Sequence, residues 1–457
     1  MLTAAAALRA QLDDIEKSLA ALESQMTSLR TQKERLLTDL DSLKYPVLTL
    51  PNEITVEIFF HFVSLMRQVP YRPQPYHGLL KLAGVCRTWR AVTLSTCALW
   101  SGEVQVTCSA IRNASKLLET CLPRAGSLPL DLYIKLPPDI SSTDMIISTL
   151  ILYGSQWRRI HLSSPVMCMW RLTSPIDRFP RSLPLLECLT LSNLRADDNS
   201  VSSLRHAPHL CELSLHNSSW AIQLGLPFNK LTKLNLSSFS ITPLLAVLAY
   251  TPKLECLELG YATNDAQVVP LSILLPHLHT FACEEDPSTM VLQYLTLPAL
   301  EQLVLSDLSG AGVHAVQSCI ARSHSTIHTL DIVDLYFNAA YDCLCSLPTI
   351  RNLGLSSLPW SLDDKDSFFA AMISGSCLPA LESLTCEECW SMKPDQLFEV
   401  VSARWRGMEG TAKLNSVSLY FEEEDSSEFA NAVDHLYELG RQGLKLKITG
   451  APGATRY

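Results

Sequence analysis

Cys386-Glu387-Glu388-Cys389 has the two-residue spacing with which paired thiolates hold a zinc ion. A tetrahedral site needs four ligands, and no second cysteine pair or His-x-x-x-His lies nearby. Cys386 also falls where a recurring pattern puts an inward leucine, so a small core thiol is the expectation, and Cys343 and Cys345 in Cys-Leu-Cys read the same way. Cys86 lies in a dense apolar helix and is expected to pack there rather than to attack a substrate. Serines, histidines and aspartates fall into no triad order. The chain has no P-loop, no dinucleotide glycine fingerprint, no His-Glu-x-x-His and no nucleophile elbow. The expectation is a chain without catalytic groups, metal or cofactor.

What recurs instead is polar residues at fixed offsets from leucines: Glu212, His216, Lys233, Glu258, Glu284, Asp331 and Glu387, with Tyr420 at the end. Such residues bind rather than react. Five acids against one lysine suit a basic segment of a protein. A mixed, solvated surface with binding at the loops is the competing reading. The acidic run Glu422 to Glu428 reads as a solvated turn and helix start.

The elements that carry these residues repeat. Leu-Pro-Ala-Leu-Glu occurs at Leu297 and again at Leu378, and relatives of Leu-Pro-x-Leu-x-x-Leu-x-Leu run through most of the chain. Their anchors are 186, 210, 231, 254, 278, 300, 327, 350, 381 and 414, in steps of 24, 21, 23, 24, 22, 27, 23, 31 and 33 residues. A weaker copy begins at Gln156, and Gly443 to Gly450 looks like a closing strand. Side chains alternate on a strand, so the third and fifth places after each anchor face inward and the second, fourth and sixth outward. Amphipathic stretches from Ile241, Ala315, Ser367 and Asp395 read as return helices.

This unit resembles the leucine-rich repeat, which implies an α/β solenoid with a parallel sheet on the concave face and helices outside.

Ahead of it, Leu48 to Leu65 starts a helix at Pro51, where a missing N–H costs nothing, with Glu53 at the positive end of the helix dipole. Its apolar residues cover more than one face, and fewer than sixty residues cannot easily hide both, so a partner protein is expected to supply cover. Leu-Pro-Asn-Glu-Ile, then Ile58-Phe59, Val-Cys-Arg-Thr-Trp-Arg and the closing Leu99-Trp100 resemble the F-box, which docks a substrate receptor onto the adaptor of a cullin-RING ubiquitin ligase. The resemblance implies that Leu50, Pro51, Ile54, Ile58 and Phe59 insert into the adaptor, with Leu80, Val85, Cys86 and Trp89 completing the surface or supporting its helices. Thr55 replaces the family's usual leucine, and the loop from Arg67 to Gly78 is longer than usual. Leu117 to Ile134 resembles the stretch that follows the F-box in fungal proteins of this kind.

Farther upstream, Leu8, Leu12, Ile15, Leu19, Leu22, Met26, Leu29, Lys33, Leu36, Leu40 and Leu43 alternate by four and three. That spacing is a coiled-coil seam, with Lys33 the one charge at an a position, and a parallel homodimer is the expectation; a helix folded back on its own chain is the alternative. The organisation is therefore a coiled-coil helix at 1–46, an F-box-like module at 47–104, a transition with irregular repeats at 105–180, and repeats at 181–457.

Composition fits. The 457 residues are 47% hydrophobic and 18% charged, enough to bury a core, and the net charge of −10 argues against nucleic acid as partner. No stretch of about 18 apolar residues argues for a membrane span, no signal peptide is legible, and the odd number of cysteines, fifteen, points to reduced thiols in the cytoplasm or nucleus. Together these readings imply a substrate-recognition subunit of an SCF-type ubiquitin ligase. Its partners would be the adaptor, through it the cullin, and an unidentified target protein. A non-catalytic scaffold and a GTPase activator of the leucine-rich-repeat type are the alternatives. A small molecule acting as glue in the concave groove is a variant of the first reading.

Overall fold

The computed structural model describes residues 2–42, 49–67, 75–108, 114–138, 140–164, 182–193, 206–217, 227–263, 272–334, 337–356, 362–387, 394–407, 410–420 and 427–449. Leu43, Cys389 and most of the acidic run at 422–428 lie outside these residues. The chain divides into two compact units, residues 1–72 with 77–99, and residues 73–76 with 100–457.

In the first unit, α1 (Leu2–Ser42) is a single long helix. Ser18, Thr27, Thr31 and Thr38 turn back onto the helix, each hydroxyl donating to the carbonyl four residues earlier. From residue 7 to 39 every described side chain is exposed. Then come α2 (Asn52–Arg67), α3 (Pro75–Val85) and α4 (Arg87–Ser95), with α5 (Cys97–Ser101) at the boundary between the units. Pro51 stands one place before α2, and its carbonyl accepts the first helical bond, from the Thr55 N–H at 3.0 Å. Against the inner face of α2, Phe59 meets Trp89 of α4 edge-on at 5.0 Å. Gly78 of α3 lies on Phe62, Val63 and Met66, where a methyl group would find ordinary contact.

The second unit is built on one parallel sheet. Its strands are β1 (Glu103–Thr107), β2 (Leu130–Lys135), β3 (Trp157–Ser163), β4 (Cys188–Ser192), β5 (Glu212–His216), β6 (Lys233–Ser240) and β7 (Cys256–Thr263). A two-residue strand β8 (Ile273–Leu274) pairs separately with β10 (Leu295–Thr296). Between them lies β9 (Thr280–Cys283), followed by β11 (Gln302–Ser306), β12 (Thr329–Val333), β13 (Asn352–Ser356), β14 (Ser383–Glu387), β15 (Ser416–Tyr420) and β16 (Lys445–Thr449). Apart from β8 and β10, fourteen strands pair in chain order.

Register follows the leucine pattern. Leu213, Leu234, Leu257, Phe281, Leu303, Leu330, Leu353, Leu384 and Val417 stand side by side across nine strands. Every inward place after the ten anchors is buried, including Cys283 and Cys386. Each such side chain is worth about 1.5–3 kcal/mol, and a one-residue slip would turn all of them outward, so the register is strongly held. Where strands end, Asn193, Asn217, Asp307 and Asp334 adopt left-handed backbone, a conformation their short polar side chains tolerate, and the N–H groups of Asn193, Asp307 and Asp334 extend the ladder to the next strand.

The sheet begins earlier than the leucine pattern shows. β1 and β2 lack the full phrase, and a bulge after Leu130 shifts the β2–β3 register and leaves Arg158 free to fork onto Asp131 at 2.6 and 2.9 Å.

The crossovers are α6 (Ala114–Cys121), α7 (Ile140–Ile151), α8 (Ile241–Leu248), α9 (Asp286–Thr289), α10 (Gly310–Ser323), α11 (Phe337–Ser346), α12 (Leu362–Ser374), α13 (Pro394–Arg406) and α14 (Ser427–Arg441). All four expected return helices are among them. The 27-, 31- and 33-residue steps hold α10, α12 and α13, so unequal spacing reflects longer crossovers rather than a broken pattern. On α13, Arg404 is 1% exposed and donates to the carbonyls of Leu378 at 2.8 Å and of Met372 and Pro379 at 3.3 Å. Its Nε has no partner, and Leu378 is itself left-handed, at φ 54°.

Candidate protein-binding surfaces

The first surface lies on the helical unit. Leu50, Ile54, Ile58, Leu80 and Val85 are exposed, three of them at 48% (Ile54), 53% (Leu80) and 60% (Val85), and Pro51 is exposed beside them. Large aliphatic side chains left in water are available to a partner. Phe59 is different: it is fully buried against Trp89, so it supports the surface instead of inserting into an adaptor. Cys86 is partly buried and caps α4, its sulfur accepting from the Trp89 N–H at 3.4 Å. Phe60, 37% exposed and next to the buried ring, belongs to the outer face. The cluster of apolar residues from Ile58 to Val63, broken only by His61, hid that division, because α2 is apolar on both sides. Thr55 is buried, and its hydroxyl donates to the Pro51 carbonyl at 3.1 Å, which lets a polar residue occupy the inner face.

The second surface is the face of the sheet opposite the buried leucines. Glu212, His216, Lys233, Glu258, Glu284, Asp331, Glu387 and Tyr420 all stand on it, each partly or fully exposed. His216, Glu258 and Glu284 share a shallow depression of about 400 Å³ whose floor is Gly260 and Ala282. The small floor is a steric requirement: a Cβ on Gly260 would sit 2.5 Å from the Ser237 carbonyl oxygen and 3.0 Å from Glu284 Oε2. Lys233 is tied into the wall, its Nζ 2.7 Å from Glu258 Oε1, while the Asn235 amide donates to the other carboxylate oxygen. Burial pushes the Glu258 carboxyl up, but the Lys233 hydrogen bond and charge, with Cys256 and Asn235, outweigh it and hold it below its ordinary value. Asp331, Glu387 and Tyr420 lie farther along the sheet, outside the depression. Burial raises the Asp331 carboxyl, Gln302 opposes this by hydrogen bonding, and the charge of Glu387 adds to it.

Pairing alters the count of charges. Glu258 is neutralised by the strip's own lysine, and Glu212, two strands from Arg159, helps raise the Arg159 pKa against the lowering effect of burial. The other acids of the strip, Glu284, Asp331 and Glu387, lie just past the end of β9, on β12 and on β14. The opposite end carries residues that the leucine pattern did not point to. Tyr133 and His161 stack at 4.1 Å, and burial, then Arg159, lowers the His161 pKa against Glu212 and Asp131, favouring a neutral ring. Alternation in Leu130-Asp131-Leu132-Tyr133-Ile134 was the signal for this end.

The thiols are packing groups in the main. Burial lifts Cys188 to about 12 and Cys256 to about 11, which keeps both protonated. Cys343 is buried, whereas Cys345, two places on along α11, is exposed and so is not the core thiol expected from its spacing. Among the described residues no group of three metal-ligating side chains forms, and no helix is long and apolar enough to cross a membrane.

A family model described as F-box-like matches residues 47–102, the stretch that contains the first surface. The chain thus carries an F-box-like domain followed by a mixed α/β unit with a long parallel sheet. No curated protein matches the chain. Among solved structures it is similar to a protein from Bacteroides fragilis, 11% identical over 75% of this chain and 83% of that one, with a TM-score of 0.31, a likeness too slight to carry an argument.

Proposed function

We propose that the chain is a substrate-recognition subunit of an SCF-type cullin-RING ubiquitin ligase. The observation that carries this reading is the F-box-like match at residues 47–102 together with the exposed aliphatic side chains on the same helices. In this reading Leu50, Pro51, Ile54, Ile58, Leu80 and Val85 hold the adaptor, and Phe59 and Trp89 keep their helices in place. The sheet unit is a leucine-rich-repeat solenoid and its polar face holds a target protein. The chain supplies no catalytic group: it raises the effective concentration of the target's lysines near the charged conjugating enzyme, to the millimolar range typical of tethered partners. The acids at Glu284, Asp331 and Glu387 favour a basic target segment by complementarity.

The test is co-purification of the full chain with the adaptor of its own organism, wild type beside Leu50→Ala/Pro51→Ala and Ile54→Ala/Ile58→Ala. These side chains are exposed, so loss of the complex with an unchanged circular dichroism spectrum supports docking. Absence of a complex with folded wild-type chain refutes the ligase reading and leaves a scaffold.

A further inference from the structure

The adaptor-docking and target-binding reading leaves α1 unused. From Leu8 to Leu36 each apolar seam residue is 51–64% exposed. A row that alternates by four and three has a mean period of 3.5, and only another helix of the same period matches it along such a length. A second copy of the chain supplies one, and two such rows facing each other remove on the order of 1,600 Å² from water, the size of a stable interface.

Direction is set by the residues that flank the seam. With Leu8 at d, the e positions are Arg9, Glu16, Glu23, Arg30 and Leu37, and the g positions are Gln11, Ser18, Gln25, Gln32 and Asp39. In a parallel pair g meets the following e of the other copy: Gln11 meets Glu16, Ser18 meets Glu23, Gln25 meets Arg30 and Gln32 meets Leu37. Within α1 (Leu2–Ser42) no opposite charges meet, and Lys33 faces Lys33. In an antiparallel pair e meets e. The register that seats Met26 on Leu29 then brings Glu23 of each copy to Arg30 of the other, twice, and sets Lys33 opposite Leu22. The lone a-position lysine, read by itself, suggested a parallel pair; the flanking charges favour the reverse.

We propose that α1 pairs with a second copy of itself as an antiparallel two-stranded coiled coil, with Leu19 opposite Leu36, Leu22 opposite Lys33 and Met26 opposite Leu29. Light scattering on the full chain should give about twice the 50.7 kDa of one chain. Co-expressed Leu19→Cys and Leu36→Cys chains, oxidised and digested, should yield a peptide joining position 19 to position 36. Arg30→Glu should weaken the dimer about tenfold, and adding Glu23→Arg should restore most of that loss, since a parallel pair sets these residues against Ser18 and Gln25 and offers no such rescue. A monomer at about 10 μM, a trimer, cross-links joining 19 only to 19 and 36 only to 36, or the absence of rescue would each overturn the proposal. None of these outcomes depends on whether the adaptor binds.

Discussion

Replacing Arg404 by methionine sets two large effects against each other. The substitution keeps an unbranched apolar stem and removes the guanidinium. On one side, the carbonyls of Leu378, Met372 and Pro379 lose the guanidinium as a donor and keep only the backbone N–H groups of Leu381, Gly375 and Ala412. A hydrogen bond to a charged group is worth about 1.5–3 kcal/mol, and the 2.8 Å bond to Leu378 should account for most of the loss, since those at 3.3 Å are weaker. On the other side, burial lowers the Arg404 pKa, with Cys377 opposing, because holding a cation there without a carboxylate is itself unfavourable, and methionine relieves that. The first effect should win, because three hydrogen bonds from one charged group are lost together and the Leu378 carbonyl keeps only the longer bond from the Leu381 N–H, at 3.2 Å. A net loss of about 2 kcal/mol is expected. An array of repeats need not unfold in one step, so the assay is hydrogen exchange on peptides from α12, the 375–382 turn and α13, where that loss speeds exchange about thirtyfold. Trp405, with Lys413 Nζ 3.6 Å from its ring, gives a fluorescence readout in the same place. Exchange unchanged or slowed would mean that desolvation of the cation outweighs its hydrogen bonds, and the reasoning would fail.

Other outcomes follow from the open face. Gly260→Ala should destabilise the sheet unit by about 1–3 kcal/mol, because its methyl group meets the Ser237 carbonyl, and thermal unfolding would show it. Asp331→Asn should be more stable than wild type at pH 7. The raised folded-state pKa of Asp331 means that its cost is present above that pKa and vanishes below the unfolded value near 3.9, so the gap should close by about pH 3.5 in urea titrations. Lys233→Met should do the reverse near neutrality: the depressed Glu258 pKa marks stability that is present above an unfolded value near 4.3 and is lost as pH falls through the folded one, so the variant should lose most at pH 7. Under native conditions a thiol reagent should label Cys97 and Cys345 well before Cys188, Cys283 or Cys343; fast labelling of the buried thiols would contradict the packing.

The repeat was legible because burial enforces it: an inward leucine cannot move by one residue without exposing its whole strand, so the ten anchors and their strands stand where the spacing put them. β1 and β2 were harder to see, since their inward residues alternate without the Leu-Pro opening, and the bulge at Leu130 breaks the count. On α2 the letters could not separate Phe59 from Ile58, because which apolar face turns inward depends on the position of Trp89, a long-range contact. Charge was the least legible property. Counting acids on the open face missed the Lys233–Glu258 pair, since pairing depends on neighbouring strands rather than on composition.

The chain-order pairing of the strands also has a mechanical consequence. Stretched by its ends, such an array would not shear along one long seam, as sheets stitched by distant strands do. It would peel, one strand and one crossover at a time, each step releasing roughly 21 to 33 residues of slack while the remaining units keep their neighbours. A cut in one crossover would likewise leave two shorter, still ordered stacks, so damage to this molecule stays local.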